Sequence, residues 1–203
     1  MIKNIVLDIG GVLADFRWKE LMVDLGLSKE AIEHLKKEMI MSPLWNEFDR
    51  GVLGQDTVVA MFKENNPAFE NEIDLFFQNI EHLVKQFDYT NAFIMELKEK
   101  GYKVYILSNY PTYAFSVHEK TRFSFLPYID GKVVSGFVKM IKPDSDIYEY
   151  LLHTYDLLPE ECVFLDDVPK NIHTACELGM KGIVFTSYTQ AREELGKLIT
   201  LTK

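Results

Sequence analysis

The chain has only two cysteines in 203 residues, Cys162 and Cys176, too few for the disulfide framework of a small secreted scaffold. They fall in segments that read as strand and helix, so free, buried thiols are expected. Basic residues are scarce as well: 22 Lys and Arg stand against 31 Asp and Glu, a formal net charge of -9. That balance argues against a nucleic-acid partner, whose phosphates would demand a basic surplus, but leaves room for a small anion in a locally positive pocket. The five histidines show no metal-ligand spacing. No apolar run approaches a membrane span, and Lys3 passes straight into an apolar strand rather than a leader. A cytoplasmic protein without a membrane partner is the expectation, and the oligomeric state is open.

What is present is an ordinary core: apolar residues make up 47% of the chain. The length suits one α/β domain with an insertion or two small domains. Asn4-Ile5-Val6-Leu7 is an apolar run of strand length that delivers Asp8 into Gly10-Gly11, as where a buried parallel strand ends at a loop that something must approach closely. From 18 to 87 no convincing strand is found. Leu21, Leu25, Ile32, Leu35 and Met39 recur at helical spacing, with Ser28 as an N-cap, and 55–63 and 72–86 supply further amphipathic helices. Asp49-Arg50-Gly51 reads as a turn. Roughly 70 helical residues between two strands are too many for a crossover, so they read as an insertion over the strand ends.

From 91 onward the rhythm is α/β. Strands are expected at 103–107, 133–138, 162–165 and 182–185, and helices at 91–100, 146–155, 171–178 and 192–203. This alternation implies a mostly parallel sheet covered on both faces. Parallel strands bring their carboxyl ends to one edge, which gathers Asp8, Ser108, Asn109, Lys142, Asp166 and Asp167 in one crevice. Such a set calls for a polar ligand: carboxylates and a backbone oxygen suit Mg²⁺, and the lysine and hydroxyl suit a phosphate. Taken singly, Ser108 reads as a turn cap and Lys142 as a solvated residue. Adjacent Asp166 and Asp167 at the end of an apolar strand are harder to place without a cation.

Four segments in order, Asp-x-Gly-Gly-Val-Leu, Leu-Ser-Asn, Lys-Pro-Asp and Phe-Leu-Asp-Asp-Val-Pro-Lys-Asn-Ile, resemble the motifs of the haloacid dehalogenase (HAD) superfamily over residues 3 to 15 and about 90 to 186. The resemblance implies a Rossmann-like, doubly wound core at 1–15 and 89–203, with an inserted α-helical cap at 16–88. It also implies a Mg²⁺-dependent phosphatase acting on a small phosphorylated metabolite. The cap segment from Leu44 to Gly51 resembles that of the sugar-phosphate phosphatases in this group, which points to a sugar phosphate.

By position, Asp8 matches the nucleophile that forms an aspartyl-phosphate. Ser108, with backbone N–H groups near Ile9, Gly10 and Asn109, matches the phosphate cradle, and Lys142 the catalytic cation. Asp167 matches the Mg²⁺ ligand, with Asp166 beside it and Asp8 and the Gly10 carbonyl completing the set; Asn171 takes a supporting place. Trp18 and Trp45 read as cap core, Arg50 as a surface residue with substrate contact as the alternative, and Tyr110 and Tyr113 as candidate pocket lining.

One departure matters. Where the phosphatases of this superfamily carry a second aspartate two residues after the nucleophile, this chain has Gly10. General acid–base help is worth about 10²–10⁴-fold. Its loss implies that water, substrate or another acid substitutes, Asp15 being the first candidate. Otherwise the chain is a weakened relative that senses a phosphometabolite or binds a protein. The Asp166-Asp167 pair argues against the metal-free dehalogenases, and Gly10 against phosphomutases.

Overall fold

The computed structural model describes residues 1–199. Strand β1 (Asn4–Leu7) is buried along its whole length, as its unbroken apolar run requires, and lies at the middle of a five-stranded sheet. A short strand, β2 (Ala14–Phe16), follows the Gly10-Gly11 turn. Then come α1 (Trp18–Asp24) and α2 (Lys29–Leu35), the latter capped by Ser28, whose Oγ accepts from the Ala31 N–H at 3.1 Å. A π-helical turn (Lys36–Ile40) leads to α3 (Pro43–Arg50), α4 (Gln55–Asn65) and α5 (Glu70–Gln78). Strand β3 (Val84–Gln86) runs antiparallel to β2, Phe16 facing Val84, so the helical segment leaves and rejoins the core through a two-stranded ribbon.

The remainder alternates: α6 (Thr90–Glu99), β4 (Lys103–Ser108), α7 (Thr112–Thr121), β5 (Gly131–Val134), α8 (Ser135–Val138), α9 (Ser145–Thr154), β6 (Cys162–Asp166), α10 (Pro169–Glu177), β7 (Lys181–Val184) and α11 (Tyr188–Leu195). Sheet order is β5-β4-β1-β6-β7, with every pairing parallel. Ile5 and Leu7 pack into one apolar layer with α6 and α11, and Val6 into a second with α9 and α10. The doubly wound α/β architecture expected from the strand–helix alternation is therefore the observed one. Among the described residues no helix is long and apolar enough to cross a membrane.

Several sequence expectations need correction. The run at 72–86 is not one helix: Asn79 ends α5, its amide donating to the Leu75 carbonyl at 2.9 Å, and the chain continues into β3. Strands β2 and β3 escape a periodicity reading because each has three residues and exists only through its distant partner. The expected strand at 133–138 stops at Val134. There the Ser135 hydroxyl accepts from the Tyr110 N–H at 2.8 Å and turns the backbone into α8. Asp49 and Arg50 are the last residues of α3 rather than a turn, and left-handed Gly51 (φ 71°) ends that helix. The final helix begins at Tyr188, and the part of the expected 192–203 helix beyond 199 lies outside the described residues. Both thiols are free, and Cys162 is buried as expected, but Cys176, on α10, is exposed.

Candidate active site

Register fixes the floor of the site. Leu7 pairs with Ile106 on β4 and with Leu165 on β6, so Asp8 emerges level with Asp166 on one side and with Leu107, the residue before Ser108, on the other. Its own N–H donates to the Leu165 carbonyl at 3.0 Å, and the Ile9 N–H donates to Asp8 Oδ1 at 2.7 Å. Gly11 carries the turn with φ 67°; a Cβ there would also lie 2.5 Å from Asp167 Oδ2, so the position requires glycine twice over.

The Lys142 side chain is wholly buried. Its ammonium lies 2.6 Å from Asp166 Oδ2 and 3.1 Å from Asp8 Oδ2, and donates to the Leu107 carbonyl at 3.0 Å. Burial works against its charge, but Asp8 and Asp166 outweigh that cost and hold it above the ordinary lysine range. The Lys142 loop is held by Asn109, whose amide accepts from the Lys142 N–H at 2.8 Å and donates to the Lys142 carbonyl at 2.9 Å. With its side chain so engaged, Asn109 has its backbone N–H left as the group to meet an anion.

The two adjacent carboxylates differ sharply. Asp166 is fully buried: it takes Lys142, the Val168 N–H at 2.8 Å and the Asn171 amide on both oxygens at 3.0 Å. Asn171 is fixed in turn by Tyr148, whose hydroxyl donates to its carbonyl at 2.9 Å. Asp167 is exposed at the mouth of the cleft. Oxygens of Asp8, Asp166 and Asp167 lie within 4.8 Å of one another.

Three carboxylates against one ammonium leave uncompensated negative charge at one point. Burial pushes the Asp8 carboxyl up to about 7; Lys142 and a Ser108 hydrogen bond pull down, and Asp166 and Asp167 push up. Asp167, though exposed as a residue, is raised too, by partial desolvation of its carboxyl against the floor and then by the Asp166 charge. Hard oxygen donors crowded with excess charge, one of them open to solvent, fit Mg²⁺ in donor type and charge.

Above this floor lies a cleft of about 200 Å³. Asp8, Gly10, Asn109 and Asp167 line one side; Phe16, Trp45, Phe48, Ile80, Leu83 and Asp49 line the other. Trp45 belongs to the aromatic core with Phe48, Phe62, Phe76 and Phe77 and also reaches the cleft. Tyr110 lines the cleft, its hydroxyl 2.6 Å from His118 Nδ1, whereas Tyr113 is exposed elsewhere. Trp18 packs against the core away from it, and Arg50 faces Asp144 at 3.4 Å outside it. Asp15, the expected substitute acid, lies exposed on β2 opposite Lys85 and does not line the cleft.

Sequence reasoning misses Asp49. Burial, then the Asp8 charge, pushes its carboxyl up to about 8, with Lys142 pulling down. The signals were its place beside Arg50-Gly51 and within the 44–51 segment that resembles a phosphatase cap, but nothing local reveals that α3 ends over Asp8.

The haloacid dehalogenase-like hydrolase family profile matches residues 2–179. Sesquiterpene phosphatase astK of Aspergillus oryzae is 27% identical over 97% of this chain and 96% of its own length. D-ribitol-5-phosphate phosphatase of Bacteroides thetaiotaomicron is 28% identical over 96% of this chain and 97% of its own. A HAD family enzyme from Bacteroides thetaiotaomicron, solved with magnesium and inorganic phosphate, shares the fold. It has a TM-score of 0.75 at 21% identity, covering 94% of this chain and 99% of that one. Motif order, strand-end geometry and these likenesses agree, and the chain belongs to the haloacid dehalogenase-like hydrolases.

Proposed function

We propose that this enzyme is a Mg²⁺-dependent phosphatase that hydrolyses the monoester of a small phosphorylated metabolite through a covalent phosphate on Asp8. The observation that carries the reading is Asp8 itself: a carboxylate at the floor of a cleft, 3.1 Å from a buried lysine and within 4.8 Å of two further carboxylates. Asp8 attacks phosphorus, Lys142 offsets the charge of nucleophile and phosphoryl group, and Ser108 with the backbone of Ile9, Gly10 and Asn109 orients the phosphate. Asp8, Asp167 and the Gly10 carbonyl would hold Mg²⁺, which supplies charge neutralisation at the phosphoryl oxygens. Asp166 stands beside them, in contact with Lys142. Residues 16–88 act as a cap whose inner face selects the organic group.

The ribitol phosphatase likeness supports a sugar phosphate. A second reading, an apolar organic group, is favoured by the lining of Phe16, Trp45, Phe48, Ile80 and Leu83 and by the likeness to a sesquiterpene phosphatase. Phosphate release from a panel containing pentitol phosphates and isoprenoid monophosphates, with Mg²⁺, separates the two. In the same assay Asp8→Asn, near-isosteric but a far poorer nucleophile, is expected to abolish turnover while remaining folded. Undiminished release from that variant would remove the mechanism. Tight binding without turnover by the native protein would make it a sensor of phosphometabolites instead.

A further inference from the structure

Gly10 leaves the reaction without a proton donor on the strand-end side of the cleft. The gap is not forced by packing, since a Cβ at Gly10 would meet nothing within 4 Å. Among the described residues lining the cleft, the carboxyl groups are Asp8, Asp49 and Asp167. Asp8 is assigned as nucleophile and Asp167 to the metal, which leaves Asp49 facing them from the helical side.

The end of α3 that carries Asp49 is tied to the core by its backbone. Ser135 Oγ donates to the Asp49 carbonyl at 2.5 Å, and Lys139 Nζ donates to the Gly51 carbonyl. Gly51 packs so closely that a Cβ on it would lie 2.6 Å from Gly136 Cα. These contacts position the carboxyl over the floor without using its oxygens.

We propose that Asp49 is the general acid and base that stands in for the carboxylate absent at Gly10. The inference rests on the phosphatase reading above. As Asp8 Oδ forms its bond to phosphorus, the P–O bond to the organic group breaks and Asp49 delivers its proton to the departing oxygen, releasing the alcohol. Asp49, now ionised, takes a proton from the water that attacks the phosphorus. The P–O bond to Asp8 breaks, inorganic phosphate leaves, and Asp49 is again protonated. Burial, the largest cause of its upward shift to about 8, keeps the carboxyl in the acid form that the first step needs. Asp8 and Lys142 face it from the strand ends, and Glu47 and Arg50 neighbour it on its own helix.

The test compares Asp49→Asn with the native enzyme on n-butyl phosphate, whose alkoxide needs a proton and which offers no hydroxyl to bind, and on 2,4-dinitrophenyl phosphate, whose anion leaves unaided. The kcat/KM for the butyl ester is expected to fall about 10²–10⁴-fold, and that for the dinitrophenyl ester to stay within about threefold. With the dinitrophenyl ester the variant should also release a burst of phenolate and retain phosphate on Asp8, detected by intact mass, because the water step has lost its base. Equal fractional losses on both esters, or no loss on the butyl ester, would overturn the role. Should Asp49→Asn not fold, the native enzyme decides across a series of alkyl and aryl esters: a shallow dependence on leaving-group pKa supports the donor, and a steep one overturns it. Asp8→Asn run alongside separates the two levels, since turnover surviving that change removes the phosphatase mechanism itself, whatever Asp49 does.

Discussion

On the strand-end side of the cleft the polar side chains are bonded to one another: Lys142 to Asp8 and Asp166, Asn171 to Asp166, and Asn109 to the Lys142 backbone. On the helical side the lining is Phe16, Trp45, Phe48, Ile80 and Leu83, with the carboxyl of Asp49 set among them. The first wall is preorganised by charge and hydrogen bonds, and a fault there exposes unpaired groups in a place that water cannot reach. The second is held by apolar packing and backbone contacts, and its tolerance of change is correspondingly greater. In the function proposed above, the chemistry falls to the strand ends and the choice of substrate to the helical side, with Asp49 as the exception.

The largest effect that can break this contrast comes from the adjacent carboxylates Asp166 and Asp167. Asp166→Ala leaves the buried Lys142 without its 2.6 Å partner and the Asn171 amide without an acceptor. A loss of about 3–5 kcal/mol of folding stability is expected in chemical denaturation. Asp167 is exposed, so Asp167→Ala should change stability by no more than about 0.5 kcal/mol while weakening Mg²⁺ binding in titration calorimetry. Equal stabilities for the two variants would mean that the buried network does not organise the floor.

How much of this was legible beforehand follows the same division. Asp8, Ser108 and the Asp166-Asp167 pair each end or follow a strand, and parallel pairing alone brings such positions to one edge; Lys142 joined them only through a strand expected to run to 138, whereas α8 separates it from β5. Local pattern therefore sufficed for the carboxylates and Ser108 of the floor, but not for Lys142. The opposite wall had no such rule: Trp45 and Phe48 read as core, and they are core, but their reach into the cleft depends on how α3 docks against α8. That docking rests on Ser135 and Gly136, in a segment read as strand. The β2–β3 ribbon was hidden for the same reason, since three-residue strands carry too little alternation to announce a partner some 70 residues away. Gly10 marked a departure from the family motif but gave no sign of Asp49, the replacement proposed above.

A smaller effect probes the seam between the walls. His118 is fully buried; a carbonyl only accepts, so His118 Nε2 donates to the Ile80 carbonyl at 2.7 Å and Nδ1 accepts from the Tyr110 hydroxyl. Burial holds its pKa below the usual histidine value, with the Ile80 bond and Glu81 opposing and Arg122 assisting. As pH falls, the unfolded chain therefore takes up this proton first. The stability that neutral His118 contributes is complete above about pH 6.5 and is lost below it, at up to about 1.4 kcal/mol per pH unit. The upward shifts of Asp8 and Asp49 act in the opposite sense, so the native profile is to be compared with that of His118→Gln. A smaller acid-side loss in the variant is the expected result; parallel profiles would show that the seam does not depend on this proton.

The smallest effect concerns Arg50, which stands next to Asp49 and invites a role in substrate binding. Its guanidinium lies 3.4 Å from Asp144 and 3.5 Å from Glu47, and both side chains are about half-exposed. A pair in that setting contributes about 0.2–1 kcal/mol, and salt screens it further. Meanwhile α3 is fixed by contacts that Arg50→Ala leaves alone: Ser135 on the Asp49 carbonyl, Lys139 on the Gly51 carbonyl, and the close approach of Gly51 to Gly136. Arg50→Ala should therefore cost no more than about 1 kcal/mol, lose even that at high salt, and leave the ratio of butyl to dinitrophenyl ester turnover unchanged. The result that would sharpen the comparison against us is selective loss on a polar phosphorylated substrate with stability intact. Arg50 would then have to turn from Asp144 into the cleft when substrate binds, and the helical wall would carry two ionisable groups rather than one.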